Sequence, residues 1–240
     1  MNKPVFLDNI RIVLSHTTHP GNIGGAARAM KTMGLSRLAL VSPKRFPDPQ
    51  AEAMASGAVD VLEEAAVCAT LDEALAGTVL AVGLTARRRD LSHSMLTVRE
   101  AAPQIMEAAA QAPVAVVLGT EMSGLTNSEL DRCQLLATIP ANPDYSSLNL
   151  AAAVQIVAYE LRQALPELPL PAETPRELAS FEEIEHFYRH LEQTLLATGF
   201  LNPKQPGRLM QRLRRLFARA RLEKEEVNIL RGILAARNNN

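Results

Sequence analysis

His19-Pro20-Gly21-Asn22-Ile23-Gly24-Gly25-Ala26-Ala27-Arg28-Ala29-Met30-Lys31-Thr32-Met33-Gly34 lies between two short apolar runs, Ile10 to Leu14 and Leu38 to Val41. Strand, glycine-rich turn, helix, strand is the pattern of a βαβ unit, whose two strands run parallel. Further strand signals fall at Val79 to Gly83, Val114 to Leu118 and Leu135 to Ile139. Helical patterns cover Gly24 to Met33, Gln50 to Ala55, Leu71 to Ala76, Val98 to Ala110, Asn127 to Arg132 and Asn149 to Leu165. Strands and helices that alternate in this way predict an α/β fold, a parallel sheet with helices on both faces.

Proline changes the pattern. Pro166, Pro169, Pro171 and Pro175 favour extended chain and predict a semi-rigid linker over 164–178. This divides the chain into an α/β domain over 1–163 and a helical extension over 179–240. In the extension Phe181, Ile184, Phe187, Tyr188, Leu191 and Leu195 recur at helical spacing and form a packing face. A basic amphipathic helix is expected from Arg208 to Arg221 and a last helix from Lys224 to Ala236. The net charge of the whole chain is −1, which argues against a wholly electrostatic nucleic-acid binder. From Lys204 to Arg237, however, ten basic side chains face three acidic ones, and that excess suits a polyanion.

With 47% apolar residues the chain can build a core, and with no Trp that core is aliphatic. Cys68 and Cys133 are far apart and form no CxxC, as expected of a reduced, cytoplasmic setting. His16 and His19 have no further ligand-type neighbours, so no metal site is expected. Met1 to Leu14 carries charges and lacks an apolar core for a signal peptide, and no apolar run is long enough to span a membrane.

Three loops carry the chemistry. The first is the glycine-rich segment, with Asn22 and with Arg28 among small residues. The second follows the buried run Val114 to Leu118 and reads Gly119-Thr120-Glu121-Met122-Ser123-Gly124-Leu125. Thr126 or Asn127 then caps a helix that includes Glu129. Ligands of open α/β sheets bind at carboxyl ends of strands, where glycine lets backbone approach them. The second loop lacks the Lys-Ser/Thr of a P-loop, and the chain lacks the three-glycine dinucleotide fingerprint. The third is Ile139-Pro140-Ala141-Asn142-Pro143-Asp144-Tyr145-Ser146-Ser147-Leu148-Asn149-Leu150, which leads into an Ala-rich helix. Ser146 or Ser147 is expected at the N-cap, with free N–H groups at the helix mouth.

Together these segments resemble the SPOUT class of knotted methyltransferases, in the branch that methylates ribose 2′-hydroxyls of RNA. Asn22 with Arg28 resembles its first motif. Gly119-Thr120-Glu121 with Gly124-Leu125 resembles the second, and Ser147-Leu148-Asn149-Leu150 the third. Gly21-Asn22-Ile23-Gly24, Arg28 to Leu35, Thr85-Ala86-Arg87, Gly124 to Asn127 and Ala141 to Leu150 point further, to the bacterial TrmJ-type tRNA (cytidine/uridine-2′-O-)-methyltransferases. The resemblance is strong over residues 8–162. It implies a C-terminal trefoil knot, S-adenosyl-L-methionine as cofactor, a homodimer, and tRNA as partner, methylated at C or U of anticodon-loop position 32.

By the same resemblance Arg28, Asn22, Ser147 and Asn149 are the catalytic residues. Leu84, Thr85, Ala86, Gly119, Glu121, Gly124, Ile139, Ser146, Ser147 and Leu148 surround the cofactor. Arg87 and Arg89 in the run Arg87-Arg88-Arg89, together with Arg212 and Arg215, read as phosphate contacts, and Tyr145 as a stacking platform for an unpaired base. One position departs from the subfamily, which usually has Gly-Arg-Glu where this chain has Gly119-Thr120-Glu121. A fixed cation with forked donors is thereby missing. Three other readings stand beside this one: a 2′-O-methyltransferase of ribosomal RNA, a non-catalytic RNA-binding protein on the same fold, and a nucleotide-binding α/β module such as a dehydrogenase.

Overall fold

The computed structural model describes residues 5–86, 95–165, 177–204 and 208–237. The chain divides into two compact units, Met1–Pro171 and Ala172–Asn240. Arg87, Arg88, Arg89 and the four prolines of the expected linker lie outside the described residues.

Among the described residues of the first unit are seven strands, β1 (Ile10–Ser15), β2 (Arg37–Val41), β3 (Ala66–Cys68), β4 (Leu80–Leu84), β5 (Met95–Thr97), β6 (Val114–Leu118) and β7 (Leu135–Thr138). They form one parallel sheet in the order β3-β2-β1-β6-β4-β7-β5. β6 is buried along its whole length, which is why it reads as an unbroken Val-rich run. β3 and β5 escape sequence reading. Each has three residues, lies at an edge of the sheet and buries none of its side chains fully.

The helices of this unit are α1 (Val5–Asp8), α2 (Pro20–Met33), α3 (Pro49–Ala55), α4 (Val59–Glu63), α5 (Leu71–Leu75), α6 (Val98–Ala109), α7 (Asn127–Leu130) and α8 (Leu150–Gln163). α2 packs on α3 and α8, and α8 packs on α6. These helices therefore share one layer; α5 and α7 connect strands in the opposite direction along the sheet, from β3 to β4 and from β6 to β7, which under the rule of right-handed crossovers assigns them to the other face. There Arg132, just past α7, pairs with Asp72 of α5.

The glycine-rich segment is helix rather than turn. α2 begins at Pro20, whose fixed φ and missing N–H suit a first helical position. Its glycines serve packing. A Cβ on Gly24 would lie 2.0 Å from the Ala51 carbonyl oxygen, and one on Gly25 2.8 Å from the Ala151 Cβ. Glycine here lets α3 and α8 approach the α2 backbone closely, which fixes the start of α8 beside the start of α2. The left-handed Gly34, at φ 89°, closes the helix.

The second unit contains α9 (Phe181–Ala197), α10 (Leu209–Ala220) and α11 (Lys224–Arg237). Phe187, Tyr188, Ile184, Leu191, Leu222 and Val227 are its buried core. Phe187 meets Phe217 edge to face at a centroid distance of 4.9 Å. Arg214 is committed to this unit: its guanidinium forks onto Glu185, with one arm at 2.8 Å, and lies 4.3 Å above the Tyr188 ring.

Candidate active site

A cleft of about 200 Å³ opens where β4, β6 and β7, adjacent in the sheet, reach their carboxyl ends. Leu84, Thr85 and Ala86 line it from the end of β4, and Ile139 from the end of β7. Gly119 to Gly124 line it from the end of β6, and Ser146, Ser147 and Leu148 from the loop before α8. Leu118, Leu150 and Ala153 complete its walls. The ten residues that resemblance groups around a cofactor therefore meet in one place, although three separate loops supply them.

The loop after β6 doubles back on itself. Thr120 and Gly124 form an antiparallel bridge, and Gly124 takes φ 68°. The Thr120 and Ser123 hydroxyls are 2.7 Å apart, so Thr120, which replaces the subfamily's arginine, ties the turn shut. Gly119 is pressed against the returning strand: a Cβ there would sit 2.2 Å from the Gly124 carbonyl carbon and 2.3 Å from the Leu125 nitrogen. Backbone cannot yield as a flexible side chain can. Gly119→Ala is expected to open the turn and weaken cofactor binding at least tenfold, read by calorimetry, with the α-helical circular dichroism signal retained. Unchanged affinity would mean that the turn's geometry is irrelevant to the cleft.

Next to the cleft a chain of hydrogen bonds joins all three loops. Asn22 Nδ2 donates to Glu121 Oε1 at 2.9 Å, and Asn149 Nδ2 donates to Asn22 Oδ1 at 2.9 Å. Asn149 Oδ1 in turn accepts the N–H groups of Ala151 at 2.9 Å and Ala152 at 3.3 Å. The polarity is fixed at both ends. A carboxylate only accepts and helix N–H groups only donate, so each amide has one orientation that satisfies both neighbours. Glu121 also accepts from the Thr18 backbone N–H, from the Thr18 hydroxyl at 2.9 Å and from the His19 N–H at 3.2 Å. Burial alone would push its carboxyl up. The hydrogen bonds from Asn22, Thr18 and His19 outweigh burial and hold it at about 2, below an ordinary 4.5.

This network corrects one expectation. The N-cap of α8 is Asn149, not Ser146 or Ser147, because only Asn149 turns its side-chain oxygen onto the first helical N–H groups. The serines are left to the cleft, where Ser147 is exposed. Glu121, grouped with the cofactor residues, faces the cleft but spends its oxygens on the β1–α2 loop. Thr18 was not legible, since a Thr-Thr pair after a strand has no signature. Thr126, by contrast, caps α7 in a reciprocal box with Glu129, as the spacing indicates.

Other expected residues fall away from the cleft. Arg28 is exposed on α2, about two helical turns beyond Asn22, and is not part of the cleft wall of its own chain. Tyr145 is 78% exposed, beside Ser146. Arg87 and Arg89 are outside the described residues. In the second unit Arg212 is exposed, but Arg215 is buried and its Nε donates to the Gln211 carbonyl, so it offers no open phosphate contact. Sequence charge counting cannot separate the two, because neighbouring positions of one helix point in different directions. Among the described residues no group of His, Cys, Asp and Glu could hold a metal ion, and no helix is long and apolar enough to cross a membrane.

The candidate site is thus a cleft at the carboxyl ends of a parallel sheet, closed on one side by a tied-back loop, with Asn22, Glu121 and Asn149 locked together beside it. The chain belongs to the SpoU methylase family: residues 9–159 match the SpoU rRNA methylase family, and residues 182–240 match the C-terminal domain of the tRNA methyltransferase TrmJ. It is 55% identical over 236 residues to the tRNA (cytidine/uridine-2′-O-)-methyltransferase TrmJ of Escherichia coli strain K12, covering 96% of this chain and 95% of the relative. The crystal structure of TrmJ from Z. mobilis ZM4 matches with a TM-score of 0.84 at 34% identity, over 95% of this chain and 98% of that one. An AdoMet-bound rRNA methyltransferase from Sinorhizobium meliloti is 26% identical, with a TM-score of 0.51 over 66% of this chain and 57% of its own.

Proposed function

We propose that this protein transfers a methyl group from S-adenosyl-L-methionine to the ribose 2′-hydroxyl of C or U at position 32 of the tRNA anticodon loop. It does so as a cytoplasmic homodimer. The observation that carries this reading is the polarised chain Glu121–Asn22–Asn149, which holds the three motif segments against one cleft. tRNA is favoured over ribosomal RNA because the relatives named for tRNA align with nearly the whole chain, the helical unit included.

The cleft suits a nucleoside joined to a charged sulfur. Leu84, Leu118, Ile139, Leu148 and Leu150 offer apolar walls for a base, loop backbone offers edges for hydrogen bonds, and Thr85, Ser146 and Ser147 supply hydroxyls. Bound there, S-adenosylmethionine supplies a methyl group activated by a positive sulfonium. The protein's own task is to aim the acceptor oxygen and lower the cost of its ionisation. Arg28 contributes a cationic guanidinium with donors and no acceptor, so it acts as an electrostatic partner of the developing alkoxide and the adjacent phosphate rather than as a base. The proton leaves to solvent or to a substrate phosphate oxygen. Ser147, exposed at the cleft, orients the hydroxyl, and Asn22 and Asn149 keep both loops in place. Arg28 lies outside the cleft of its own chain, so an isologous dimer in which a second copy completes the site belongs to the reading. The SPOUT knot belongs to it too. The seating of β7 between β4 and β5, both earlier in the chain, supports it.

Residues 1–163 carry the chemistry in this reading, and 179–240 present basic side chains to RNA. Arg212 and Arg219 are exposed on α10. Reversing both to Glu is expected to weaken tRNA binding and flatten its salt dependence by roughly two units of logarithmic slope, with cofactor affinity unchanged. An unaltered slope would make this helix face a bystander. The reading as a whole is tested by incubating the protein with total tRNA and labelled S-adenosylmethionine, then mapping the product by mass. A 2′-O-methylpyrimidine at position 32 is expected. Label confined to ribosomal RNA, or to another tRNA position, overturns it.

A further inference from the structure

Resting on that methyl-transfer reading, we propose that Met122 is the contact by which the site holds the unpaired pyrimidine whose ribose is methylated. Its neighbours in the turn after β6 are tied down. Gly119 abuts Gly124, Thr120 bonds Ser123, and Glu121 is drawn into the β1–α2 loop by Thr18, His19 and Asn22. Leu125 is buried at 2% exposure. Met122 projects from the tip, 92% exposed, on the rim of the cleft.

An isolated exposed apolar side chain is ordinary on a surface. This one differs in where it is fixed. The backbone on both sides is held, by the Glu121 carboxyl before it and by the Ser123 N–H on the Thr120 hydroxyl after it, so the side chain springs from a fixed point on the rim. That point directly follows Glu121, whose carboxyl accepts from Asn22. In the methyl-transfer reading the acceptor ribose enters at this rim, and an exposed thioether there suits a ligand with an apolar, polarisable face, the face of a base turned out of its stack. A thioether is adaptable in shape and makes favourable contacts with aromatic rings. It also has no donor and is a weak acceptor, so it cannot tell the C4 amino group of cytosine from the C4 carbonyl of uracil. A contact of this kind grips either pyrimidine, which matches an activity that takes both.

The test compares Met122→Ala and Met122→Leu in steady-state methylation of tRNA, with wild type run alongside. Met122→Ala is expected to raise KM for tRNA about tenfold, the scale of one largely buried apolar side chain. The loss should be equal for C- and U-bearing substrates, with kcat within about twofold of wild type and the salt slope unchanged. Met122→Leu should recover most of the loss. An unchanged KM overturns the proposal. So does a change in S-adenosylmethionine affinity by calorimetry, which would place Met122 on the cofactor, or a shift in dimer dissociation by ultracentrifugation, which would place it on a second copy. If wild type itself methylates no tRNA, the functional reading fails rather than this contact.

Discussion

Asn22→Asp is expected to reduce methyl transfer by about a hundredfold or more, and the single variant Glu121→Gln by a smaller factor, while the double variant recovers most of the activity. The reasoning is one of donors and acceptors. Asn22→Asp would set a second carboxylate against that of Glu121, across a contact that is 2.9 Å in the native chain. Like charges at that range cannot both remain ionised cheaply, so the loop must open or a proton must be taken up. A displacement of about 1 Å at a catalytic loop is enough for a loss near a hundredfold. In the double variant the new amide at position 121 donates to the new carboxylate at position 22. That carboxylate still accepts from Asn149, and the amide oxygen at position 121 still accepts from Thr18. Each of these pairings keeps a donor facing an acceptor, with the charge moved from one loop to the other; the 3.2 Å contact from the His19 N–H, which falls on the same Glu121 oxygen as Asn22, is the one lost, so recovery is incomplete. Rates from a double-mutant cycle decide the matter. If the double variant is no better than Asn22→Asp, the chain of polarity is not what holds the loops.

The same carboxylate carries a dependence on pH. Glu121 is depressed in the folded protein, from 4.5 to about 2. Its contribution to stability is therefore fully present above an unfolded value near 4.5 and is lost as pH falls towards 2. The group is partly open to solvent, so screening reduces that contribution to roughly 1 to 2 kcal/mol. Thermal unfolding of Glu121→Gln should accordingly lie a few degrees below wild type at neutral pH. The two curves should converge as the pH approaches 2. A gap that persists unchanged in acid would assign the difference to packing instead.

The second large effect concerns Arg28. Arg28→Ala is expected to cost about a thousandfold in methyl transfer, the range seen when a fixed electrostatic partner of a developing oxyanion is removed. The side chain is exposed on α2, so melting temperature and S-adenosylmethionine affinity should stay at wild-type values. Arg28→Lys retains the charge but loses the planar fork and should recover only part of the rate. A dimer that shares its sites offers a sharper readout. Mixing Arg28→Ala with Asn22→Asp chains should regenerate one complete site per heterodimer, if Arg28 serves the partner's cleft. Full activity of Arg28→Ala alone would end its assigned role.

The elements themselves were legible in the chain to the extent that their side chains repeat. Val114 to Leu118 announced a fully buried strand, and the strands at Ile10, Arg37, Leu80 and Leu135 begin within a residue of where alternation and β-branching place them. Thr126 with Glu129 announced a helix start because that motif is local, closed within four residues. Three-residue edge strands such as β3 and β5 were not legible, since they neither alternate in burial nor extend far enough to repeat.

Sequence by itself determined the α/β class, the basic bias of the C-terminal region and which loops are rich in polar and small residues, because periodicity, charge and turn chemistry act over a few neighbouring residues. Only the tertiary structure decided that Gly24 and Gly25 are packing surfaces of a helix, that Asn149 rather than a serine caps α8, and that Arg215 is buried while Arg212 is open. It also decided the meeting of Glu121, Asn22 and Asn149, which are separated by up to 127 positions in the chain. A hydrogen bond has strict direction and a reach of about 3 Å. Which distant groups satisfy it is settled by the sheet order, which sets the carboxyl ends of the neighbouring central strands β1 and β6 side by side, and by the packing of α8 on α2, and no local pattern records either.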